Sequence, residues 1–227
     1  MKRFTILIIA TLIVHSACAQ EKVYGLSGGL LLGLKSYDTE NYQFFMPDDA
    51  AILDNGLVTL GGDGYIIFKN WLIGGSGFYR SGDSQNLSVD GQAYHYKIKG
   101  GSGYFNLGYV LFHGSSWIFF PQASFGIESL SLVKTLDESI DFTVQDNFSA
   151  RYTYNTPMLE IAFGFDFFPL GTSMTKFGIR AGYQLSLEQN NEWQHAGGNF
   201  SGPDLPENNL NGFFVDLVIG GGYAITR

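Results

Sequence analysis

The sequence predicts an all-β chain, an eight-stranded antiparallel up-and-down transmembrane β-barrel with short turns at one end and four long loops at the other. Three observations carry this. The chain holds 30 Gly, is 16% aromatic and only 15% charged, whereas a soluble domain has about 25% charged residues. Hydrophobicity alternates with a period of two along most of the chain, the signature of strands with one apolar face. The connections between those strands alternate strictly between long and short, as membrane barrels are built.

The first nineteen residues read as an export leader, leaving 20–227 as a single barrel domain. Lys2 and Arg3 are basic, Phe4 to Val14 is apolar, and Ala17-Cys18-Ala19 offers the small residues of a cleavage site before Gln20. Cys18 raises a lipoprotein alternative, but His15 stands where such leaders carry Leu. Cleavage removes the only Cys, so a mature disulfide or thiol chemistry is excluded. It also takes two of the 13 basic residues, leaving 11 against 21 acidic ones, a net charge of −10. Nucleic acid is therefore not an expected partner.

Strands are expected at 23–35, 57–69, 71–80, 94–112, 117–133, 157–168, 176–188 and 213–226. The first sets Tyr24, Leu26, Leu30, Leu32 and Leu34 on one side. In the sixth, Leu159, Ile161, Phe163, Phe165 and Phe167 share one face, and Glu160, Ala162, Gly164 and Asp166 the other. The seventh opposes Phe177, Ile179, Ala181 and Tyr183 to Gly178, Arg180, Gly182 and Gln184. The eighth opposes Phe213, Val215, Leu217 and Ile219 to Asp216, Val218 and Gly220.

Alternation alone leaves a soluble barrel with an apolar interior open. The polar face, rich in Gly and Ser, fits a crowded lumen better than a hydrated exterior. Aromatics gather at strand ends, with Tyr24, Trp71, Trp117, Phe168, Phe177 and Tyr223 at one rim and Tyr79, Tyr94, Tyr96 and Phe213 at the other, as in interfacial girdles. The long connections, 36–56, 81–93, 135–156 and 189–212, hold 14 acidic residues and one basic residue, Arg151. With short turns inside, the expected location is the bacterial outer membrane, both termini periplasmic.

Two strands are irregular on paper. In the fourth, Tyr94, Tyr96 and Ile98 read as outward and Lys97 and Lys99 as inward, yet Phe105, Leu107 and Tyr109 share the parity of the lysines. Either a β-bulge within Gly100-Gly101-Ser102-Gly103 restores the phase, or both lysines lie above the membrane and face water. Pro121 in the fifth strand removes a ladder donor and requires a bulge or a non-bonded position. No repeat, second domain or periplasmic peptidoglycan-binding module is expected.

In strand pattern, in the Ala17-Cys18-Ala19-Gln20 processing site and in the closing Gly220-Gly221-Gly222-Tyr223-Ala224-Ile225, the chain resembles the small outer-membrane β-barrel family typified by adhesion and stress barrels. It is similar in particular to Bacteroidetes-type, porin-family-like outer-membrane barrels. The closing stretch resembles the C-terminal signal read by barrel-assembly machinery, though Thr226-Arg227 replaces a terminal aromatic. The resemblance implies fold and location, in contact with outer-membrane lipids and lipopolysaccharide, and leaves activity open.

Strand parity places Asp63, Arg80, Glu128, Glu160, Asp166, Arg180, Glu188 and Asp216 on the interior face. Eight strands leave an interior just wide enough for side chains. A structural charge network is the expectation, without a proton path or porin channel. His113, Ser115 and Glu128 superficially match a lipid deacylase set, but Glu128 lies thirteen residues beyond Ser115, roughly 40 Å along a strand. His195, near Glu192 and Asp204, and His95 read as solvated loop or rim residues. Asp48, Asp49 and Asp54, or Asp137, Glu138 and Asp141, offer oxygens to Ca²⁺ without the spacing of a dedicated loop. No catalytic residue, cofactor or metal site is expected. The loop aromatics Tyr42, Phe44, Phe45, Phe148, Tyr152, Tyr154, Trp193 and Phe200 favour a contact surface. The expected function is a non-enzymatic barrel working through its external loops, in surface or partner binding or in envelope integrity. The alternatives are an accessory subunit of a larger outer-membrane transport or secretion assembly, a lipid-modifying enzyme, and a soluble periplasmic carrier.

Overall fold

The computed structural model describes residues 21–36, 44–46, 56–89, 92–136, 149–169, 175–187, 192–195, 198–201 and 210–227. The leader, Glu188 and the tips of the longest connections lie outside the described residues. The strands are β1 (Val23–Ser36), β2 (Gly56–Phe68), β3 (Trp71–Val89), β4 (Gln92–Tyr109), β5 (Phe112–His113), β6 (Trp117–Leu136), β7 (Ser149–Phe167), β8 (Lys176–Ser186), β9 (Glu192–His195), β10 (Gly198–Ser201) and β11 (Gly212–Thr226).

Eight of them close a ring in the order β1-β2-β3-β4-β6-β7-β8-β11, every neighbour antiparallel. The closing ladder joins β1 to β11 without interruption from Val23↔Thr226 to Lys35↔Phe214. A closed ring leaves no unpaired edge, which is what permits strands to cross hydrocarbon. Outward positions are apolar: Leu30 is 69% exposed, Ile127 64% and Phe213 71%. From Tyr24 to Leu34, strand rise and tilt give an apolar band about 25 Å tall. Water would not tolerate such a belt and lipid requires it, so the barrel is a transmembrane one.

The tightest connection shows how the sequence makes its turns. Between Phe68 and Trp71 the chain reverses in two residues, Lys69 and Asn70, with φ of 51° and 73°. Two successive positive φ angles define the turn whose twist matches a hairpin, and Asn adopts them more readily than most residues. Asn70 Oδ1 then accepts the Val23 amide at 2.6 Å, and its carbonyl accepts Val110 at 2.8 Å. One residue, through its side chain and its carbonyl, thus ties the β2–β3 turn to β1 and to the residue that follows β4.

At the other end the strands outrun the membrane. Most of the stretch 81–93, read as a loop, is strand: β3 runs on to Val89 and β4 starts at Gln92, with Ser88 still paired to Ala93 and Val89 to Gln92. The 135–156 connection is likewise strand as far as Leu136 and again from Ser149. The β9–β10 hairpin lies within 189–212 and pairs with β7 at Tyr152↔His195 and Thr153↔Gln194.

The bulge expected within Gly100–Gly103 is elsewhere. The β4–β6 register is unbroken from Tyr94↔Leu136 to Gly108↔Gln122, and the irregularity lies on β3 between Ser81 and Ser84. Accordingly Tyr96 and Ile98 point inward and are buried, while Lys97 and Lys99 share the outward side with Phe105 and Leu107. The misleading cue was the aromatic character of Tyr94 and Tyr96, which belong to the barrel mouth and not to a lipid girdle. Phe168 is also buried, so it too leaves its expected girdle. Pro121 needs no bulge: its register with Phe163 is continuous, and it falls between the end of the β4 ladder at Gln122 and the rejoining of β5 at Phe119.

Candidate functional site

The lumen is stacked in three layers. At the short-turn end Val23, Tyr65, Ile67, Leu72, Ile118 and Phe120 form one apolar cluster. At the long-connection end Leu57, Tyr96, Ile98, Leu132, Tyr154 and Met158 form another. That second layer is completed by Met46 and Leu210 from the connections themselves, and Phe45 stacks on Tyr152 at 4.5 Å. Phe45 therefore packs inward and Tyr154 is fully buried, where both were expected to be exposed contact aromatics. Phe44 remains outside; of the rest of that set, Tyr42 and Phe148 lie outside the described residues.

Between the two apolar layers lie the charges. Arg180 grips Asp166 with two bonds, Nη1 to Oδ1 at 2.5 Å and Nη2 to Oδ2 at 3.0 Å. The Tyr65 hydroxyl donates to the same carboxylate. Lys176 stands 3.5 Å from Asp166 and 3.6 Å from Asp63, which is also 3.6 Å from Arg180. Nearer the long-connection end Lys35 pairs with Glu160 and donates to Gln184 at 2.8 Å. Arg80 pairs with Glu128, which also accepts the Tyr104 hydroxyl at 2.9 Å. Asp216 accepts Thr59 at 3.2 Å. Cation faces add to this: Lys35 lies 4.9 Å from the Phe214 ring and Arg180 4.7 Å from Phe120.

The glycines make the room. Asp166 is paired across the ladder with Gly178, and Arg180 with Gly164, so the two charged side chains meet diagonally over two empty positions. A Cβ on Gly178 would strike the Asp166 carboxylate, and one on Gly164 would come to 2.6 Å from the Phe120 ring. The same partnership recurs at Asp63↔Gly29, Lys176↔Gly220, Arg80↔Gly100 and Asp216↔Gly33. At these six positions the charged side chain lies across a neighbour that has none, whereas Lys35, Glu128 and Glu160 are paired with residues that carry side chains.

Asp63, Arg80, Glu128, Glu160, Asp166, Arg180 and Asp216 are thus brought together, and Glu188 lies outside the described residues. Sequence reasoning missed Lys35 and Lys176, although both sit on polar-face parity at strand ends. A residual cavity of about 20 Å³ is bordered by Asp63, Asn106, Glu160, Arg180 and Asp216 among others. That is room for a water or two, not a passage.

The remaining candidates do not converge. His113 and Ser115 lie at the short-turn end, whereas Glu128 is buried mid-barrel against Arg80. His195 packs against Tyr152 at 5.2 Å between ring centres, and His95 bonds Asn86 at 2.7 Å on the exposed β3–β4 hairpin. Among the described residues no group of three His, Cys, Asp or Glu is placed to hold a metal. The carboxylates considered for Ca²⁺ lie outside the described residues.

Belt, closed ladder and occupied interior define the class: an outer-membrane β-barrel with a filled lumen. No family model matches the chain, and no curated protein does. Solved structures similar to it are outer-membrane proteins at low identity. Ail, the attachment invasion locus protein of Yersinia pestis, solved with the heparin analogue sucrose octasulfate, is 13% identical at a TM-score of 0.46, covering 90% of this chain and 100% of its own. The outer-membrane protease OmpT of Escherichia coli is 8% identical at 0.39, covering 91% and 98%. The outer-membrane protein OprG of Pseudomonas aeruginosa is 14% identical at 0.36, covering 92% and 98%.

Proposed function

We propose that the protein is a non-enzymatic, non-conducting outer-membrane barrel that acts at its long-connection end, in contact with a partner or surface or in support of the envelope. Both termini are then periplasmic and the strand extensions project outward. The observation that carries this is the sealed lumen, with ion pairs mid-barrel between two apolar layers, one of them contributed partly by Met46 and Leu210. A lumen filled in this way offers a solute no path and a substrate no cleft. The β3–β4 and β6–β7 extensions and the β9–β10 hairpin form a strand-paired platform for contact beyond the membrane.

The test has two parts. In planar bilayers the folded protein should give no steady conductance steps; reproducible steps would overturn the sealed reading. On intact cells, protease should cut within 36–56, 135–156 or 189–212 and leave the turns at 69–70 and 110–116 untouched. Cleavage only after the envelope is opened would reverse the orientation. Co-migration with a larger barrel in mild detergent would favour the accessory-subunit alternative.

A further inference from the structure

The charges inside the barrel do not balance. Between the two apolar layers the described residues set five carboxylates, Asp63, Glu128, Glu160, Asp166 and Asp216, against four cations, Lys35, Arg80, Lys176 and Arg180. Each cation is committed elsewhere than to Asp216. Arg180 holds Asp166 and faces Asp63, Lys176 stands beside those same two carboxylates, Arg80 pairs with Glu128, and Lys35 pairs with Glu160. Asp216 is 2% exposed, and among the described residues it joins no ion pair. Its hydrogen bond comes from a neutral group, the Thr59 hydroxyl at 3.2 Å. Register sets Arg180 directly across the β8–β11 ladder from Asp216, yet that guanidinium turns away to Asp166 on β7.

A buried charge without a counter-charge costs several kcal/mol, so the surplus carboxylate requires compensation from outside the chain. The place for it is the mid-barrel cavity of about 20 Å³, which Asp216 borders together with Glu160 and Asp63. Asp63 Oδ1 is itself buried and makes no hydrogen bond; its side chain is 7% exposed and its nearest cation is Lys176 at 3.6 Å. Two amides and a hydroxyl complete the polar wall, from Asn106, Gln122 and Ser76. Asn106 donates its Nδ2 to Ser76 at 3.2 Å and Gln122 its Nε2 to Ser124 at 2.9 Å. Each amide thus spends its donor end on a neighbour and has a carbonyl oxygen to offer.

Carboxylate, carbonyl and hydroxyl oxygens are the donors that hard cations take, and the cavity has room for an ion of about the size of one water. Its charge is set by the surplus, which is one. A divalent ion would need several carboxylates converging on it, and among the described residues no three are so placed.

We infer that the lumen cavity binds one alkali-metal cation, Na⁺ or K⁺, as the counter-ion of Asp216. The cation is occluded between the apolar layers and neutralises the charged layer; it is not conducted.

The experiment uses the full mature chain folded in lipid vesicles and unfolded by urea at fixed ionic strength. Sodium, potassium and tetramethylammonium chlorides are compared at about 0.3 M; all three screen surface charge alike, but the organic ion is too large for the cavity. The folding equilibrium constant of the wild type should be roughly tenfold or more higher in Na⁺ or K⁺ than in tetramethylammonium, saturating with concentration as a single site does. Whichever metal ion gives the larger gain is the preferred occupant. Asp216→Asn removes the surplus charge and keeps the shape, so it should fold, lose the dependence on alkali ion and exceed the wild type in stability in tetramethylammonium. Lys97→Gln, on the outer wall, should leave the dependence unchanged. Heat-modifiable migration on gels confirms that each variant is folded. Crystals soaked in Tl⁺ should give an anomalous peak beside Asp216 in the wild type and none there in Asp216→Asn. Equal wild-type stability in the three salts, or a dependence that survives in Asp216→Asn, overturns the inference. So does stability that responds to pH but not to alkali ion and loses that response in Asp216→Asn, since a proton then supplies the missing charge. Conductance steps in planar bilayers would refute the sealed lumen without altering the salt dependence, so the two failures are distinguishable.

Discussion

Replacing Asp166 by Asn tests the charged layer where it is most concentrated. Asp166 accepts two bonds from Arg180 and one from Tyr65, and it stands 3.5 Å from Lys176. Hydrogen bonds to a charged group contribute about 1.5–3 kcal/mol each, an upper bound of roughly 5–9 kcal/mol for three. Asn keeps one acceptor oxygen, so part of this survives. What it cannot keep is the charge, leaving Lys176 and Arg180 with Asp63 alone at 3.6 Å from each. Removing one partner of a buried pair costs about 3–5 kcal/mol, and that is the expected loss for Asp166→Asn. The assay is urea unfolding in lipid vesicles, followed by tryptophan fluorescence and gel mobility. Adding Lys176→Met to Asp166→Asn removes the excess cation and should recover about 1–3 kcal/mol as coupling. A loss below about 1 kcal/mol for Asp166→Asn, or strictly additive effects in the double variant, would refute the reasoning.

Further outcomes follow from the packing at four positions. Gly103→Ala places its Cβ in open space and should be neutral or stabilising by up to about 1 kcal/mol. Gly126→Ala, on the inward side, drives its Cβ against the Gly103 carbonyl and to 2.6 Å from the Tyr104 ring, and should lose about 1–3 kcal/mol; the same vesicle assay ranks them. Asn70→Ala loses the bond to Val23 and retains a positive φ, so it should destabilise by about 2 kcal/mol. Asn70→Gly, which relieves only the φ, should lose about half as much. Gly178→Ala meets the Asp166 carboxylate and comes to 3.2 Å from Arg180 Nη1, and should approach the cost of Asp166→Asn in that assay.

The barrel was legible because a period of two leaves little freedom. Once Phe163, Phe165 and Phe167 share a face, Asp166 must share the other, and that parity extends to each strand in turn. Legibility failed where a side chain belongs to neither lipid nor lumen wall. Tyr96 and Phe168 are aromatics near strand ends, as girdle residues are, yet both turn inward to close the barrel. Lys97 and Lys99 looked inward only because Tyr96 had been turned out. The bulge near Ser81 left no mark on the alternation of β4, since it belongs to the neighbouring strand. The glycines opposite Asp63, Arg80, Asp166, Lys176, Arg180 and Asp216 were hidden for another reason: register between strands is set by three-dimensional pairing, and no single strand records it. Nor does composition distinguish a loop from a hairpin that continues past the membrane, as Ser84 to Val89 does.

That hidden pairing bears on how the barrel finds its register. Slipping one strand by a single residue turns every side chain to the opposite face. On β8 it would send Lys176 and Arg180 into lipid, where a cation at mid-depth costs about 2–4 kcal/mol, and bring Phe177 and Ile179 into a filled lumen. A slip of two residues preserves the faces, and simple alternation offers no defence against it. Here the charge–glycine partnerships supply one. Moving β8 by two residues against β7 would set Arg180 opposite Ala162 or Asp166 and remove the empty positions over which Asp166 and Arg180 meet. The parity of the apolar residues therefore selects the face, and the glycines paired with charges select the register within it. An interior fixed by such constraints has little scope to vary for binding or transport. The strand extensions beyond the belt carry no such charge–glycine pairing, which is the physical reason for the proposal that the protein acts there.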